Sequence, residues 1–295
     1  MADPKFSFGI PVYNGEPTIR RTVESALAQT FGDIEVVVAD NLSTDATEEI
    51  CTEIALRDRR LRYVRNETNL GQNGNFTEVA KLARGEFFRW LGDDDWVERE
   101  YVEACLRAFG ERPDAVLATT YQEHVEPGGT VHYEEYEGER VTAADPAKRF
   151  DQVLRLLGAN PLWIDPVYST VRRKTLMETG LMRSIRFADA AVACELALAG
   201  RWVHVPQRLA GRTFEPLPRG WRAYSQYTGG ATTGPVGWLA ARSQRIILCY
   251  VLARIVASHP ALGPRQRVRG WTSIARFYTL MRARQVRRRL RRLIA

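Results

Sequence analysis

Three consecutive carboxylates, Asp93, Asp94 and Asp95, stand between two indoles in WLGDDDW, Trp90 to Trp96. Like charges this close repel, and an apolar setting makes unpaired charge costly. A divalent cation with oxygen ligands is the simplest compensation, and Mg2+ or Mn2+ suits carboxylates completed by substrate phosphates. The plainer reading is a solvated loop, or a helix N-terminus helped by Asp95. Two further polar clusters, Tyr13 with Asn14 and Asp40 with Asn41, also follow apolar runs. His124, His132, His204 and His259 show no metal-ligand spacing.

The surrounding elements decide whether these clusters can meet. Phe6 to Tyr13 reads as a buried strand, and Ile19, Val23, Ala26 and Leu27 recur at helical spacing up to Phe31, with Pro17 near the start. IEVVVAD, Ile34 to Asp40, is a second buried strand, followed by a helix from about Asp45 to Leu56 with Ser43 or Asp45 as N-cap. Leu61 to Asn66 reads as a third strand, Asn75 to Arg84 as a third helix, and Glu86 to Gly92 as a fourth strand. This alternation predicts an α/β fold with a parallel sheet and right-handed crossovers. Ligands bind outside the carboxyl ends of such strands, so the three polar clusters should converge on one crevice.

Beyond Glu98 the spacing predicts a helix over Tyr101 to Phe109, a strand over Ala115 to Gln122 and an acidic hairpin or loop over Glu126 to Glu139. Further helices are expected over Ala147 to Leu157 and over Ala188 to Gly200, the latter with Asp189 at its start and Gly200 at its C′ position. Trp202 to Pro206 should be a short strand, and Gly229 to Gly237 punctuates the chain before a helical tail.

With 295 residues, 45% of them apolar, the chain can build a full core. Its four cysteines are scattered without a CxxC pair, which fits a reduced cytoplasmic protein rather than zinc or disulfides. Neither a signal peptide nor a spanning helix is read. The net charge of +7 is unevenly spread: after Glu215 there is no acid and there are 16 arginines, so the first 215 residues sum to −9. Two parts are expected, 1–215 and 216–295. In the tail Ile274, Phe277, Tyr278, Met281, Leu290 and Leu293 can share one helical face. That face fits an in-plane helix on an anionic membrane, or equally a helix packed on the body or on a second copy. The tail lacks a recognised nucleic-acid module.

IPVYNGE (Ile10 to Glu16), VVVADNLSTDAT (Val36 to Thr47), NETNLGQNGNF (Asn66 to Phe76) and WLGDDDW together resemble, in order and spacing, the family 2 glycosyltransferases of the GT-A fold. The resemblance is close over about Lys5 to Glu111 and looser to about Arg212. It implies a Rossmann-like, mostly parallel sheet flanked by helices, here with a basic helical C-terminal extension. It also implies a UDP-, GDP- or dTDP-sugar donor, a divalent metal and inversion at the anomeric carbon.

By this resemblance Pro11, Tyr13 and Glu16 line the base and ribose pocket, Tyr13 against the nucleobase, and Asp40 faces the base. Asn41 stands where a second acid is usual, and Leu42 where glycine is. Asn69, Gln72 and Asn75 add a polar lining for the donor. Asp94 matches the metal-binding acid, with Asp93 beside it towards the ribose. Asp95 is either a further metal ligand or orients the groups around it, and Gly92 replaces the usual first acid.

Asp189, eleven residues before Gly200, matches the family's general base, although Ala188 stands where a glutamate is usual. Asp165 in WIDP is the fallback. The metal-binding histidine of some relatives has no counterpart in GRTFEPLPRGW. Structural roles compete at each position: strand-end packing for Tyr13, a turn or cap for Asp40, a helix-entry turn for Asn69 to Asn75, an N-cap for Asp189.

An inverting transferase acting on a glycan, lipid-linked or small-molecule acceptor is the leading expectation. A sugar nucleotidyltransferase would need a Gly-rich, basic triphosphate loop, which the N-terminal region lacks. A non-catalytic nucleotide-sugar binder is the third class. The expected location is cytoplasmic; contact with the inner membrane face and self-association stay open.

Overall fold

The computed structural model describes residues 3–126, 128–133, 140–159, 166–213 and 244–294, with side chains for all of these except 159 and 284–294. β1 (Phe6–Val12) lies between β2 (Ile34–Asp40) and β4 (Phe87–Trp90), and β3 (Leu61–Arg65) flanks β2; all three pairings are parallel. α1 (Ile19–Leu27), α2 (Thr47–Arg57) and α3 (Gly71–Leu82) connect them in turn. Successive strand side chains point to opposite faces, so a strand covered on both sides reads as an unbroken apolar run. In β2, Val36 and Val38 enter the core shared with α1, α2 and α4 (Tyr101–Glu111), whereas Val37 and Ala39 enter the one shared with α3.

The other half of the sheet is mixed. The strand order is β3–β2–β1–β4–β8–β6–β9–β5. β8 (Thr170–Arg172) runs antiparallel to both β4 and β6 (Ala115–Val125). β6 is parallel to β9 (Arg201–Thr213), β5 (Trp96–Val97) is antiparallel to β9, and β7 (Val131–His132) pairs with β6. α5 (Pro146–Ala159) and α7 (Ala188–Ala199) cover the α3 face, and the short α6 (Arg173–Met177) follows β8.

α8 (Gln244–Ser258) and α9 (Pro264–Ile294) pack against each other and on the body. Leu248, Leu252, Ile274 and Phe277 enter the same core as Phe150 and Leu154 of α5. Arg269 pairs with Asp145 at 3.2 Å, and Arg276 pairs with Asp151. Of the alternatives for the stripe through Ile274, Phe277 and Met281, packing on the body is the one found. No helix among the described residues is long and apolar enough to cross a membrane. Residues 214–243, which hold the expected boundary between the two parts and the Gly229 to Gly237 stretch, lie outside the described residues, as does Asp165.

Several boundaries differ from expectation for local reasons. α1 ends at Leu27, short of Phe31. α3 begins at Gly71 rather than Asn75, because Asn69 Oδ1 takes the Gly71 N–H at 2.8 Å and satisfies the first turn. The residue capping α2 is Ala46, without a side-chain cap. Asp45 accepts the Thr47 N–H (3.1 Å), while the Ser43 hydroxyl is engaged with Asp40 and Asn14. Gly200 is extended (φ −168°) instead of left-handed; a Cβ there would lie 2.3 Å from Val116 Cγ1, so close approach selects glycine. β9 continues past Pro206 for 13 residues in all. Val205 pairs with Thr120 and Arg208 with Tyr121, so 206–207 bulge out and the missing proline N–H costs no ladder bond.

Candidate active site

Val12, Asp40 and Arg65 lie level across β1, β2 and β3, so these chains leave the sheet at one rim. β4 stops pairing at Trp90, opposite Gly9, and the Leu91 N–H gives one more bond to the Gly9 carbonyl at 3.0 Å. Pro11, buried two residues on, has no N–H with which to continue. The chain after β4 therefore turns away as Gly92 to Asp95, beside the end of β1. A Cβ on Gly15 would stand 3.1 Å from Asp93 Oδ2. The three polar clusters share one rim.

Backbone contacts hold the acidic turn. The Thr22 hydroxyl is shared between the carbonyls of Asp93 (2.9 Å) and Asp95 (2.7 Å), and the Arg21 guanidinium reaches the Asp94 carbonyl. From the end of β9, the Thr213 hydroxyl donates to the same Asp94 carbonyl at 3.0 Å. Asp93 and Asp94 are half-buried, whereas Asp95 points inward. Its Oδ2 accepts the Gly92 N–H (3.2 Å) and lies 3.4 Å from Arg212, and its Oδ1 accepts the Thr213 N–H (3.3 Å). Burial pushes the Asp95 carboxyl above its ordinary value, and Arg212 and Arg89 oppose that rise.

Asp95 is thus answered from within the protein, and Asp93 and Asp94 stand at the rim. A Cβ at position 92 would come within 2.6 Å of Asp95 Oδ2, so the glycine found in place of the usual acid permits this turn. Among the described residues no group of three or more His, Cys, Asp or Glu is arranged to hold a metal ion. Asp93 and Asp94 fit a cation whose other ligands are phosphate oxygens and water.

On the β2 side Asp40 is fully buried. Its Oδ1 accepts Ser43 N–H (2.8 Å) and Oγ (2.5 Å); its Oδ2 accepts the Tyr63 hydroxyl (2.5 Å) and pairs with Arg65 at 3.3 Å. Burial and the Asp40 bond push the Tyr63 phenol well up, which keeps it a donor. Asn41 Nδ2 donates to Asn69 Oδ1 (2.9 Å), and its Oδ1 accepts the Leu70 N–H (2.8 Å). Asn75 donates to the carbonyls of Val12 (3.2 Å) and Ala39 (2.8 Å) and accepts from Asn66 (2.9 Å). Asp40, Asn41, Asn69 and Asn75 therefore brace the ends of three strands against α3. Gln72 sits half-buried in the first turn of α3.

The β1 loop is stapled to the β2 loop: Asn14 Oδ1 accepts the Thr44 N–H (2.8 Å), the Glu16 N–H goes to Asp45 (3.0 Å), and Glu16 Oε2 accepts the Ala46 N–H (3.3 Å). At the end of β1 Tyr13 offers a large aromatic side chain to solvent, 51% exposed.

α3 also reaches towards Asp189 through residues that sequence reasoning did not single out. Asn73 Nδ2 donates to the carbonyls of Arg183 (2.7 Å) and Ile185 (3.1 Å), and the Thr77 hydroxyl to that of Met182 (3.2 Å). These bonds fix the approach to α7. The asparagine-rich run NETNLGQNGNF carried the signal, since such side chains bind backbone groups readily. The cap of α7 is Phe187, left-handed at φ +66°, without a side-chain cap bond. Asp189 is therefore in the first helical turn, exposed, and not at the N-cap, the structural role that competes at this position.

The Glycosyl transferase family 2 model matches residues 7–180. Chondroitin synthase of Escherichia coli is 39% identical over 118 residues, 40% of this chain and 17% of that protein. The chain spans less than half the length of the relatives it matches in sequence. Among solved structures, S. aureus TarS 1-349 in complex with UDP-GlcNAc aligns with a TM-score of 0.66 at 19% identity, over 93% of this chain and 72% of that one. The mannosyltransferase PcManGT from Pyrobaculum calidifontis, in complex with GDP-Man and Mn2+, aligns with a TM-score of 0.52 at 15% identity, over 97% of this chain and 88% of that one. These likenesses agree with the GT-A architecture of the sheet and its rim, and with a match over more than half its length the chain belongs to glycosyl transferase family 2.

Proposed function

We propose that the protein transfers a sugar from a nucleotide-diphosphate sugar to an acceptor hydroxyl, with inversion, at the rim where β1, β2 and the acidic turn meet. The meeting of Asp93 with the end of β1 carries this reading, because a diphosphate must lie between base-binding and charge-binding loops. Tyr13 offers its exposed ring to the nucleobase. Glu16, Asn69 and Gln72 border the donor, while Pro11, Asp40, Asn41 and Asn75 support it from within. Neighbours in complex with UDP-GlcNAc or with GDP-Man and Mn2+ make such donors the first to test.

Asp94, with Asp93 beside it, would hold a Mg2+ or Mn2+ ion, which offsets charge on the departing diphosphate. Asp95 would keep the turn in shape rather than bind the ion. Asp189 accepts the proton of the acceptor hydroxyl as its oxygen bonds to the anomeric carbon and the carbon–phosphate oxygen bond breaks on the opposite side. The acceptor is a glycan, a lipid-linked sugar or a small molecule.

Asp189→Asn should lose transfer to a glycan acceptor while a thermal-shift panel of UDP-, GDP- and dTDP-sugars with Mn2+ still reports donor binding. Near-normal turnover in that variant would remove Asp189 as the base. Failure of every donor to shift the wild-type protein would remove the transferase reading itself.

A further inference from the structure

The apolar stripe that fitted a membrane or the body equally well is spent on the body, yet another face of the same helices stays open. Ile246 and Tyr250 lie one turn apart on α8 and are 54% and 61% exposed. Arg254, one further turn along, is exposed too. Trp271 of α9 rests its indole N–H against the Ala253 carbonyl at 3.4 Å, so its ring lies beside this stripe, still 45% exposed. Such an arrangement sets two amphipathic aromatics and an isoleucine side by side in water, a cost that ordinary packing would have removed.

The charge around the stripe selects its partner. From residue 216 to 295 there is no acid. Arg265 and Arg282 of α9 are exposed in addition to Arg254. A protein partner or a second copy of this basic region would bring like charge or would need an acidic face. An anionic bilayer supplies negative charge and an interface in which Trp and Tyr rings are stable.

We propose that the outer face of the α8–α9 pair, through Ile246, Tyr250 and Trp271 with the exposed arginines of the same helices, lies on an anionic lipid surface. The contact is peripheral: rings reach the headgroup boundary and guanidinium groups bind lipid phosphates. It stands independently of the transferase reading, since no donor or acceptor is needed to observe it.

Flotation of the full chain with vesicles of phosphatidylglycerol and phosphatidylcholine, against phosphatidylcholine alone, tests it. Binding should require the anionic lipid and fall with salt. Each of Arg254→Gln, Arg265→Gln and Arg282→Gln should weaken partitioning about fivefold. Tyr250→Ser with Trp271→Ser should weaken it about tenfold or more in protein that still melts cooperatively, Tyr250 being 61% and Trp271 45% exposed. Absence of flotation by the wild-type protein overturns the proposal. So does flotation that these five substitutions leave untouched, or that disappears only when Arg287 to Arg292 are neutralised. A wild-type dimer that the Tyr250 and Trp271 substitutions convert to monomer, without change in flotation, would assign the face to a second copy instead.

Discussion

At the rim of β1 to β3 Asp40, Asn41 and Asn75 are answered by other parts of the fold, whereas Arg62 and Arg89, away from the rim, and several side chains along β6 and β9 keep buried atoms that are not. Asn75 satisfies two strand-end carbonyls, and the Trp90 indole N–H finds the Phe76 carbonyl at 2.8 Å. In the other half, Thr120 Oγ1, Trp202 Nε1 and His204 Nε2 are buried atoms without a hydrogen-bond partner. Each such atom costs roughly 1–3 kcal/mol. The first region is a parallel sheet whose loops brace one another; the second is a bulged, mixed sheet. A nucleotide diphosphate presents the same charges in every turnover, which suits a preformed rim. The half on β6 and β9, the wall of the sheet, leaves these buried polar atoms unpaired.

The sharpest test of the contrast is chemical. On the proposed function, Asp94→Asn should lower kcat/KM by about 10²-fold or more in protein that still folds, because that reading gives this half-buried carboxylate the donor's cation. A large loss of stability in that variant would make the turn a structural device.

Next in size is the brace itself. Asn75→Ala removes its bonds to the Val12 and Ala39 carbonyls and from Asn66, which should cost about 1–3 kcal/mol in a denaturant titration, the Val12 carbonyl keeping the Asn41 N–H (2.9 Å) and Asn66 keeping Asn41 Oδ1 (3.3 Å). Thr120→Val, made in the other region, removes an unpartnered hydroxyl and should be neutral or stabilising. Equal losses from the two would erase the distinction between rim and wall.

A pH titration reads the wall separately. Burial and, secondarily, Arg140 lower the His204 imidazole from 6.5 to about 4. The unfolded chain therefore takes up this proton first, and stability should fall as pH drops from about 6.5 towards 4, with a slope of at most about 1.3 kcal/mol per unit. His204→Gln should flatten the slope in that window; an unchanged slope would place its origin among the carboxylates.

The sequence made the rim readable and the wall much less so, for physical reasons. IEVVVAD has an apolar run because both faces of β2 are covered, and the residue that ends it, Asp40, necessarily lies where the strand leaves the sheet. β5 and β8, with two and three residues, are too short to carry any period, and β9 hides its length behind Pro206. The links from Asn73 and Thr77 to the approach of α7 join residues more than a hundred positions apart, a distance at which spacing carries no information. The tail's period was visible, but a stripe suited to a membrane is equally suited to α5, and only the packing separates them.

The smallest effect lies in the backbone of the rim. Asn14 and Leu42 both adopt positive φ, +56° and +71°. Asparagine tolerates this conformation, whereas leucine in it carries a penalty of roughly 1–2 kcal/mol. Leu42 is 38% exposed, so its side chain returns only part of that cost through burial. Leu42→Gly should therefore raise stability by up to about 1 kcal/mol, against little change for Asn14→Gly at the backbone level. The same substitution separates two uses of the rim. If Leu42 serves only as a turn residue, donor affinity in the thermal-shift panel will stay as it was. A weaker donor with a more stable protein would mean that the loop carries its strain in order to present an apolar side chain to the base.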